Sequence, residues 1–543
     1  FRVPNVWSDT LIKTRILFPE LPVKRLHVLS SIWTREPFYK EEGKEFKLGK
    51  DRIERFFKYN GKDCAVNFEI DEAQDADLQD LADRYNLPMH EYYRWQMRKH
   101  KFYLAMEQVG FRVDHARQKE LKLKYKGLQD EVHARLVAEI GQEINVKSPP
   151  QKKKLLYDIM KFRYMKKAPT SEETLVSLIN NHCKGSKTKF KSILEDILEE
   201  TRIRDQKSRY INFRPDYDGR CKTIFNVIAT ETCRTSTGVV KNPMRPKGEK
   251  IGLSFHTIAK HGRLAKDVRS MFICDPGYVM IKIDAKGAEA RVVAVLCKDW
   301  ELLKAFDTVD IHRRTAGLVF GIVRELHLEE DFQNEWIDGL DGDSPERFMG
   351  KKVRHAGNYD MKKHRFMIEV NTDAQKFGIK LEVSEWKAGQ MLELFHHASP
   401  KIQEVFHAEV KDAINSTRIL IDPFGGPRLF TGKLDDNTYK EGYANIPQRT
   451  VAHLVQGAAL EIEDELNGSL PNSYMWMSED HDALTIQAPE NDWERYARLM
   501  QKHLTKPIDF NTYCTLKRDY KLIIPADVEV SHTHYGKFEK VKL

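Results

Sequence analysis

The sequence predicts an α+β protein, with short strands brought together from distant parts of the chain and long helices between them. The first observation is the stretch Ile281-Lys282-Ile283-Asp284, which alternates apolar and polar residues after the turn Asp275-Pro276-Gly277 and so reads as a strand. It runs into 288–294, rich in alanine and small apolar residues, which reads as a helix. The second is Ser478-Glu479-Asp480-His481-Asp482-Ala483-Leu484-Thr485-Ile486, an acidic turn followed by a strand. The third is the region 76–225, where apolar and aromatic residues recur at helical spacing, most clearly over 91–109.

Each of the first two stretches places a carboxylate at one end of a strand. Taken alone, Asp284 reads as a helix cap before it reads as a catalytic acid. Paired with Asp482, it forms a candidate site for a divalent cation, because Mg²⁺ is held by one or two carboxylates together with water and substrate phosphates. Arg347, Lys351, His355 and Tyr359 follow one another at intervals of four residues and predict one face of a helix that starts after Ser344-Pro345. By itself such a stripe is either a solvated face or a phosphate clamp.

Composition sets the bounds. The chain has 543 residues, which favours several domains, and its 41% hydrophobic and 31% charged content is that of a globular protein. No apolar run approaches the roughly 18 residues of a membrane span. Phe1-Arg2-Val3-Pro4 reads as an internal start, not a signal peptide. Cysteines 64, 183, 221, 233, 274, 297 and 514 form no Cys-x-x-Cys pair, which argues against zinc or a disulfide scaffold and for a reducing cytoplasm. A net charge of +8 is modest for a nucleic-acid binder, so basic surface must be concentrated locally.

In chain order, Gly110 to Asp114 reads as a turn between two long helices. Ser148-Pro149-Pro150-Gln151 reads as a helix start, with a serine cap and prolines in the first turn. Lys152 and Lys153 follow it, either as phosphate contacts at a helix N-terminus or as part of a solvated lysine run. Thr170-Ser171-Glu172-Glu173 is a second capping signal. Residues 239–252 read as a loop and 329–343 as an acidic insertion. Asp310-Ile311 reads as strand-like, with His312 more often structural in such a setting. Pro423-Phe424-Gly425-Gly426 is a turn between strands, a helix is expected to begin at 446–452, and 514–525 reads as late strands.

These pieces resemble the motifs of family A (DNA polymerase I-like) DNA polymerases, of the kind found in bacteriophages. Asp284 to Arg291 is similar to the family's Asp-Tyr-Ser-Gln-x-Glu-x-Arg, and Arg347 to Asp360 to Arg-x3-Lys-x3-Phe-x3-Tyr-Gly. His481-Asp482-Ala483 is similar to His-Asp-Glu, 230–236 to Thr-x-Thr-Gly-Arg-x-Ser, and 310–316 to Asp-Ile-His-x-x-Thr-Ala. The five motifs stand in the family's order between residues 226 and 490.

The resemblance implies a right-hand architecture, with a palm built on an antiparallel sheet (226–300 and 411–543), helical fingers (301–410) and a helical thumb (76–225). It also implies a partial RNase H-like 3′→5′ exonuclease domain over 1–75, because Tyr59 to Asp63 is similar to that domain's last motif. Its other carboxylates are unmatched, so Tyr59 and Asp63 are expected to be a remnant. The implied activity is extension of a primer 3′-OH with dNTPs. Asp284 and Asp482 hold two Mg²⁺ ions (Mn²⁺ substituting), and Lys351 assists as proton donor. Arg347, Lys351, His355, Tyr359, His312, Glu289 and Lys260 face the dNTP, with Glu289 excluding the ribose 2′-OH. Arg234, Gln448, His481, Lys152, Lys153 and Lys207 contact DNA. Implied partners are primer–template DNA, dNTPs and other replisome proteins, for a monomer in the cytoplasm. Three departures from the pattern matter most: His355 for Phe or Tyr, Ala483 for Glu and Asp360 for Gly. Two rival readings are a nuclease acting through Asp63 and an inactive DNA-binding protein.

Overall fold

The computed structural model describes residues 8–42, 52–163, 169–228, 230–241, 250–258, 263–323, 335–342, 344–377, 379, 381–467 and 473–543. At its centre lies a five-stranded antiparallel sheet in the order Met475–Glu479, Ala483–Pro489, Tyr278–Ala285, Ala526–Ser531, Glu539–Val541. The Tyr278–Ala285 strand takes the middle because both of its faces are apolar. Val279, Met280, Ile281 and Ile283 are at most 1% exposed, and each such burial contributes roughly 1.5–3 kcal/mol. Helices Asp436–Asn467 and Trp493–Leu504 pack on the two central strands, and helix Met89–Val109 packs on the Met475–Glu479 edge.

Two smaller cores flank this one. Phe111–Val113 pairs with Arg220–Cys221 and Phe272–Ile273, and the Phe111 ring stacks on Phe255 at 4.3 Å. Residues 111–113, the middle of the turn expected over 110–114, are therefore a strand. Only Gly110 turns, at φ +63°, and a Cβ there would lie 2.6 Å from the Cys221 carbonyl oxygen. The other core joins helices His115–Ile140 and Lys191–Gln206 through Leu136, Leu156, Leu194 and Ile197.

Other expectations need correction. Asp310 is the N-cap of helix Ile311–Val319, accepting from the amides of His312 (3.0 Å) and Arg313 (3.2 Å), so the strand-like reading fails. The helix expected to begin at 446–452 begins at Asp436, where Asp435 accepts from the Asn437 and Thr438 amides, and it passes through Pro447. The main late strand is Ala526–Ser531, with only Lys521–Leu522 inside 514–525. Ser148 and Ser171 cap their helices as expected. All four expected domain boundaries fall inside elements: Arg52–Tyr85, Ile224–Asn226, Trp300–Thr308 and Ala408–Thr417. Motif spacing locates chemistry, whereas element ends are set by packing and caps.

Helices Ile311–Val319 and Pro345–Asn358 cross in close contact at Gly350, where an added Cβ would lie 2.6 Å from the Ala316 backbone nitrogen. Gly350→Ala is expected to lower stability by about 1–3 kcal/mol through overpacking, read as a denaturation midpoint shifted at constant m-value.

Candidate active site and nucleic-acid groove

Asp284 stands one residue from the end of the central strand, opposite Ala483 on one side and Asp527 on the other. The Ala285 amide donates to the Asp482 carbonyl at 2.9 Å. Register alone therefore brings Asp284 and Asp482 together across two paired strands, with both side chains half-buried. The turn between them is fixed from below. Glu479 is fully buried, accepts from Tyr103 Oη (2.9 Å), Thr235 Oγ1 and the His481 amide (2.9 Å), and so holds His481 at φ +64°. Tyr535 donates to Asp480 at 2.7 Å. Neither Glu479 nor Asp480 is a predicted site residue; the sequence shows them only as an acidic turn.

Asp284 does not cap the following helix; its N-cap is Gly287, at φ +61°, with no side-chain bond. Glu289 in the first turn is the meeting point of three elements. It forms an ion pair with Arg234 from the 230–236 segment and accepts from Tyr359 Oη at 2.6 Å. Burial pushes its carboxyl up, but Arg234, Tyr359 and His355 together hold it below the usual range. Gln448 also reaches the Tyr359 hydroxyl. Tyr359, the last member of the predicted face, is the C-cap, one residue past the end of helix Pro345–Asn358, with His355 edge-on to it at 5.1 Å. Asp360, where the family pattern has glycine, is left-handed at φ +52°.

Arg347 donates through Nε to Asp310 Oδ2 at 2.7 Å, which ties the start of one helix to the cap of the other. His312 lies between them. Burial, then the charges of Arg354, Lys351 and Arg347, push its imidazole down to about 3, so it is neutral at physiological pH. Lys351 is exposed on the same helix.

Arg234, Gln448 and His481 line one cavity of about 790 Å³, with His256 and the Pro19-to-Lys24 strap. His256 is a site residue that the sequence reading missed, because its segment departs from the family pattern. Its ring lies 4.5 Å from that of His481. Arg234 Nε, His256 Nδ1 and His481 Nδ1 are buried without a hydrogen-bond partner among the described residues. Polar atoms so placed call for a polar ligand.

Other candidates lie elsewhere. Lys152 donates to the Thr170 carbonyl (3.1 Å) and Lys207 to Gln129 (3.1 Å); neither they nor Lys153 line the cavity. Asp63 accepts from Tyr39 (2.7 Å) and Lys40, which also reaches Tyr59 (3.0 Å). Lys260 lies outside the described residues, as do most of 239–252 and residues 329–334 and 343 of the insertion. All seven cysteines are free. Among the described residues no group of three or more His, Cys, Asp or Glu side chains is placed to hold a metal, so the candidate donor set is the carboxylate pair.

Residues 115–333 match the family model described as DNA polymerase family A. The thermostable DNA polymerase I of Thermus aquaticus is 26% identical over 447 residues, 78% of this chain and 45% of that protein. The DNA polymerase I of Geobacillus stearothermophilus is 23% identical over 431 residues, 76% of this chain and 43% of that protein.

The chain spans less than half the length of these relatives. Its fold is similar to the POL domain of Pol1 from M. smegmatis, solved in complex with DNA primer-template and dNTP (TM-score 0.70, 17% identity, covering 97% of this chain and 82% of that one). The α+β expectation stands, in a helix-rich form. Among the described residues no helix is long and apolar enough to cross a membrane.

Proposed function

We propose that this chain is a template-directed DNA polymerase that adds dNTPs to a primer 3′-OH by two-metal phosphoryl transfer. The observation that supports this most is the meeting at Glu289. It links Arg234 beside the cavity, Tyr359 at the end of the 345–358 helix, and the helix that follows Asp284. Groups suited to a primer, a nucleotide and a metal thereby face one place.

The two carboxylates fit Mg²⁺, which takes few protein ligands and completes its shell with substrate phosphates and water. In this reading Asp284 and Asp482 hold two ions. When bound, these supply a lowered 3′-OH pKa and charge neutralisation of the triphosphate, with Mn²⁺ able to substitute. Arg347 and Lys351 orient the triphosphate, and Lys351 donates the proton to the leaving pyrophosphate. Neutral His312 donates to phosphate without adding charge. Arg234, His481 and Gln448 read the minor-groove edge of the primer terminus, where every base pair offers an acceptor. Lys260, Lys152, Lys153 and Lys207 are secondary contacts. The central sheet is then the palm, 301–410 the fingers and 76–225 the thumb. Proofreading through Tyr59 and Asp63 is assigned only to a longer protein carrying the missing carboxylates. Replication of phage DNA, as a cytoplasmic monomer with replisome partners, is the finer form of the same proposal.

The test is primer extension on a recessed DNA template with Mg²⁺ and four dNTPs. Template-dependent products are expected; binding without extension in Mg²⁺ or Mn²⁺ would replace this reading with that of a binding protein. Glu289 closes the space beside the sugar through the Tyr359 hydrogen bond. Glu289→Ala is expected to raise ribonucleotide over deoxyribonucleotide incorporation by about tenfold or more, measured as the ratio of kcat/KM for CTP and dCTP.

A further inference from the structure

Cys233 stands where the family pattern has a glycine, directly before Arg234, and its φ is +57°. A glycine takes that left-handed conformation freely; a side chain there must be held by its surroundings. The surroundings are a buried polar cluster. Cys233 Sγ lies 3.6 Å from Tyr92 Oη, which is 3.2 Å from His453 Nε2 and 3.0 Å from Arg449 Nη2. Asp422 Oδ2 lies 3.0 Å from both His453 Nδ1 and Arg449 Nε, the histidine contact being an ion pair by distance without hydrogen-bond geometry. The Cys233 carbonyl accepts from Gln456 Nε2 at 3.0 Å, and Gln456 Oε1 accepts from Lys99 at 2.6 Å. Helices Met89–Val109 and Asp436–Asn467 thus grip Cys233 by both side chain and backbone. The next residue makes the Arg234–Glu289 pair.

We propose that Cys233 is a positioning residue: its side chain, keyed to His453 and Arg449 through the Tyr92 hydroxyl, fixes the strained turn that delivers Arg234 to Glu289 and to the primer terminus. This rests on the polymerase reading above. The charges agree with the geometry. Burial alone would push the thiol up, but Arg449, His453 and Lys99 bring it down to about 6, while Asp422 and the sulfur raise His453. Arg15, Tyr92, Lys99, Asp422, Arg449 and His453 are the titratable groups that face it. Both shifts favour the charged forms, a thiolate and an imidazolium.

The experiment compares the wild-type chain with Cys233→Ala, Cys233→Ser and Cys233→Gly. Its readouts are dNTP KM and kcat, primer–template Kd, melting temperature and thiolate absorbance at 240 nm. Cys233→Ala is expected to raise KM and Kd by about tenfold, the size of one lost hydrogen bond to a charged group, with kcat nearly unchanged. Serine, which keeps a hydrogen-bonding side chain but stays neutral, restores part of the loss and shows no rise at low pH; glycine, which relieves the backbone but lacks the side chain, restores none. The wild-type KM rises as pH falls through about 6, and the alanine variant lacks that rise. The wild type carries one thiolate absorbance more than Cys233→Ser. An alanine variant with wild-type KM, Kd and pH profile but a lower melting temperature would overturn the proposal, as would a glycine variant equal to wild type. A wild-type chain that binds DNA without extending it overturns the polymerase reading instead, and the Kd series still decides the role of Cys233.

Discussion

Asp284→Ala and Asp482→Ala are each expected to reduce primer extension by about 10³-fold or more, on the order of 4 kcal/mol at the transition state, with primer–template affinity kept within a few-fold. Each carboxylate sits at a strand end where backbone pairing, not the side chain, sets the position: Asp284 opposite Ala483, and the Asp482 carbonyl on the Ala285 amide. Truncation therefore removes the proposed cation ligands while the sheet stays paired. Single-turnover extension separates a chemical defect from slow product release. The two losses should not add, because either carboxylate alone is an incomplete site. Activity unchanged in either variant would remove that residue from the catalytic pair. Ala483 already stands where the family pattern has glutamate. It is fully buried between two strands, so the wild type is expected to work without a third carboxylate there.

The largest effect on stability is expected at Asp422. Its carboxylate is fully buried, beside Arg449 and His453, and its Oδ1 accepts from the Phe424 amide at 2.8 Å. Against the cost of burial, His453 and then Arg449 hold its pKa down to about 2. Asp422→Ala leaves a buried arginine without its counter-ion and is expected to cost about 3–5 kcal/mol, read by chemical denaturation. The pH dependence follows from the depressed value. The stabilisation is present above the unfolded pKa near 3.8, and is lost as pH falls toward about 2, amounting to about 2 kcal/mol over that window. Acid titration of the wild type should show that loss, and the alanine variant should lack it. A variant as stable as the wild type would show that the cluster carries no net stabilisation.

Local sequence was enough for the strand ending at Asp284, the helix starting after Ser344-Pro345 and the caps at Ser148 and Ser171. Alternation, caps and prolines act over a few residues, so their signals survive without tertiary context. The family resemblance implied that Glu289 and Tyr359 face the same site, and the two are in contact. Three kinds of information lay beyond it. Sheet register, which sets Asp284 against Asp482 across almost two hundred residues, depends on which strands pair and in what order. Backbone handedness at Cys233 and Asp360 was hidden because both are non-glycine residues in conformations that local propensity disfavours and their surroundings hold. Burial decided which charged residues serve the fold. Arg291 and Arg354, like Arg347 and Lys351, are basic residues within the motif segments. Yet Arg291 reaches the Phe306 carbonyl and Arg354 the Thr315 hydroxyl, both buried, whereas Lys351 stays exposed. The sequence by itself determined which residue types were present for phosphoryl-transfer chemistry. Only the tertiary structure decided which of them face one place, because that depends on contacts between segments that are distant along the chain.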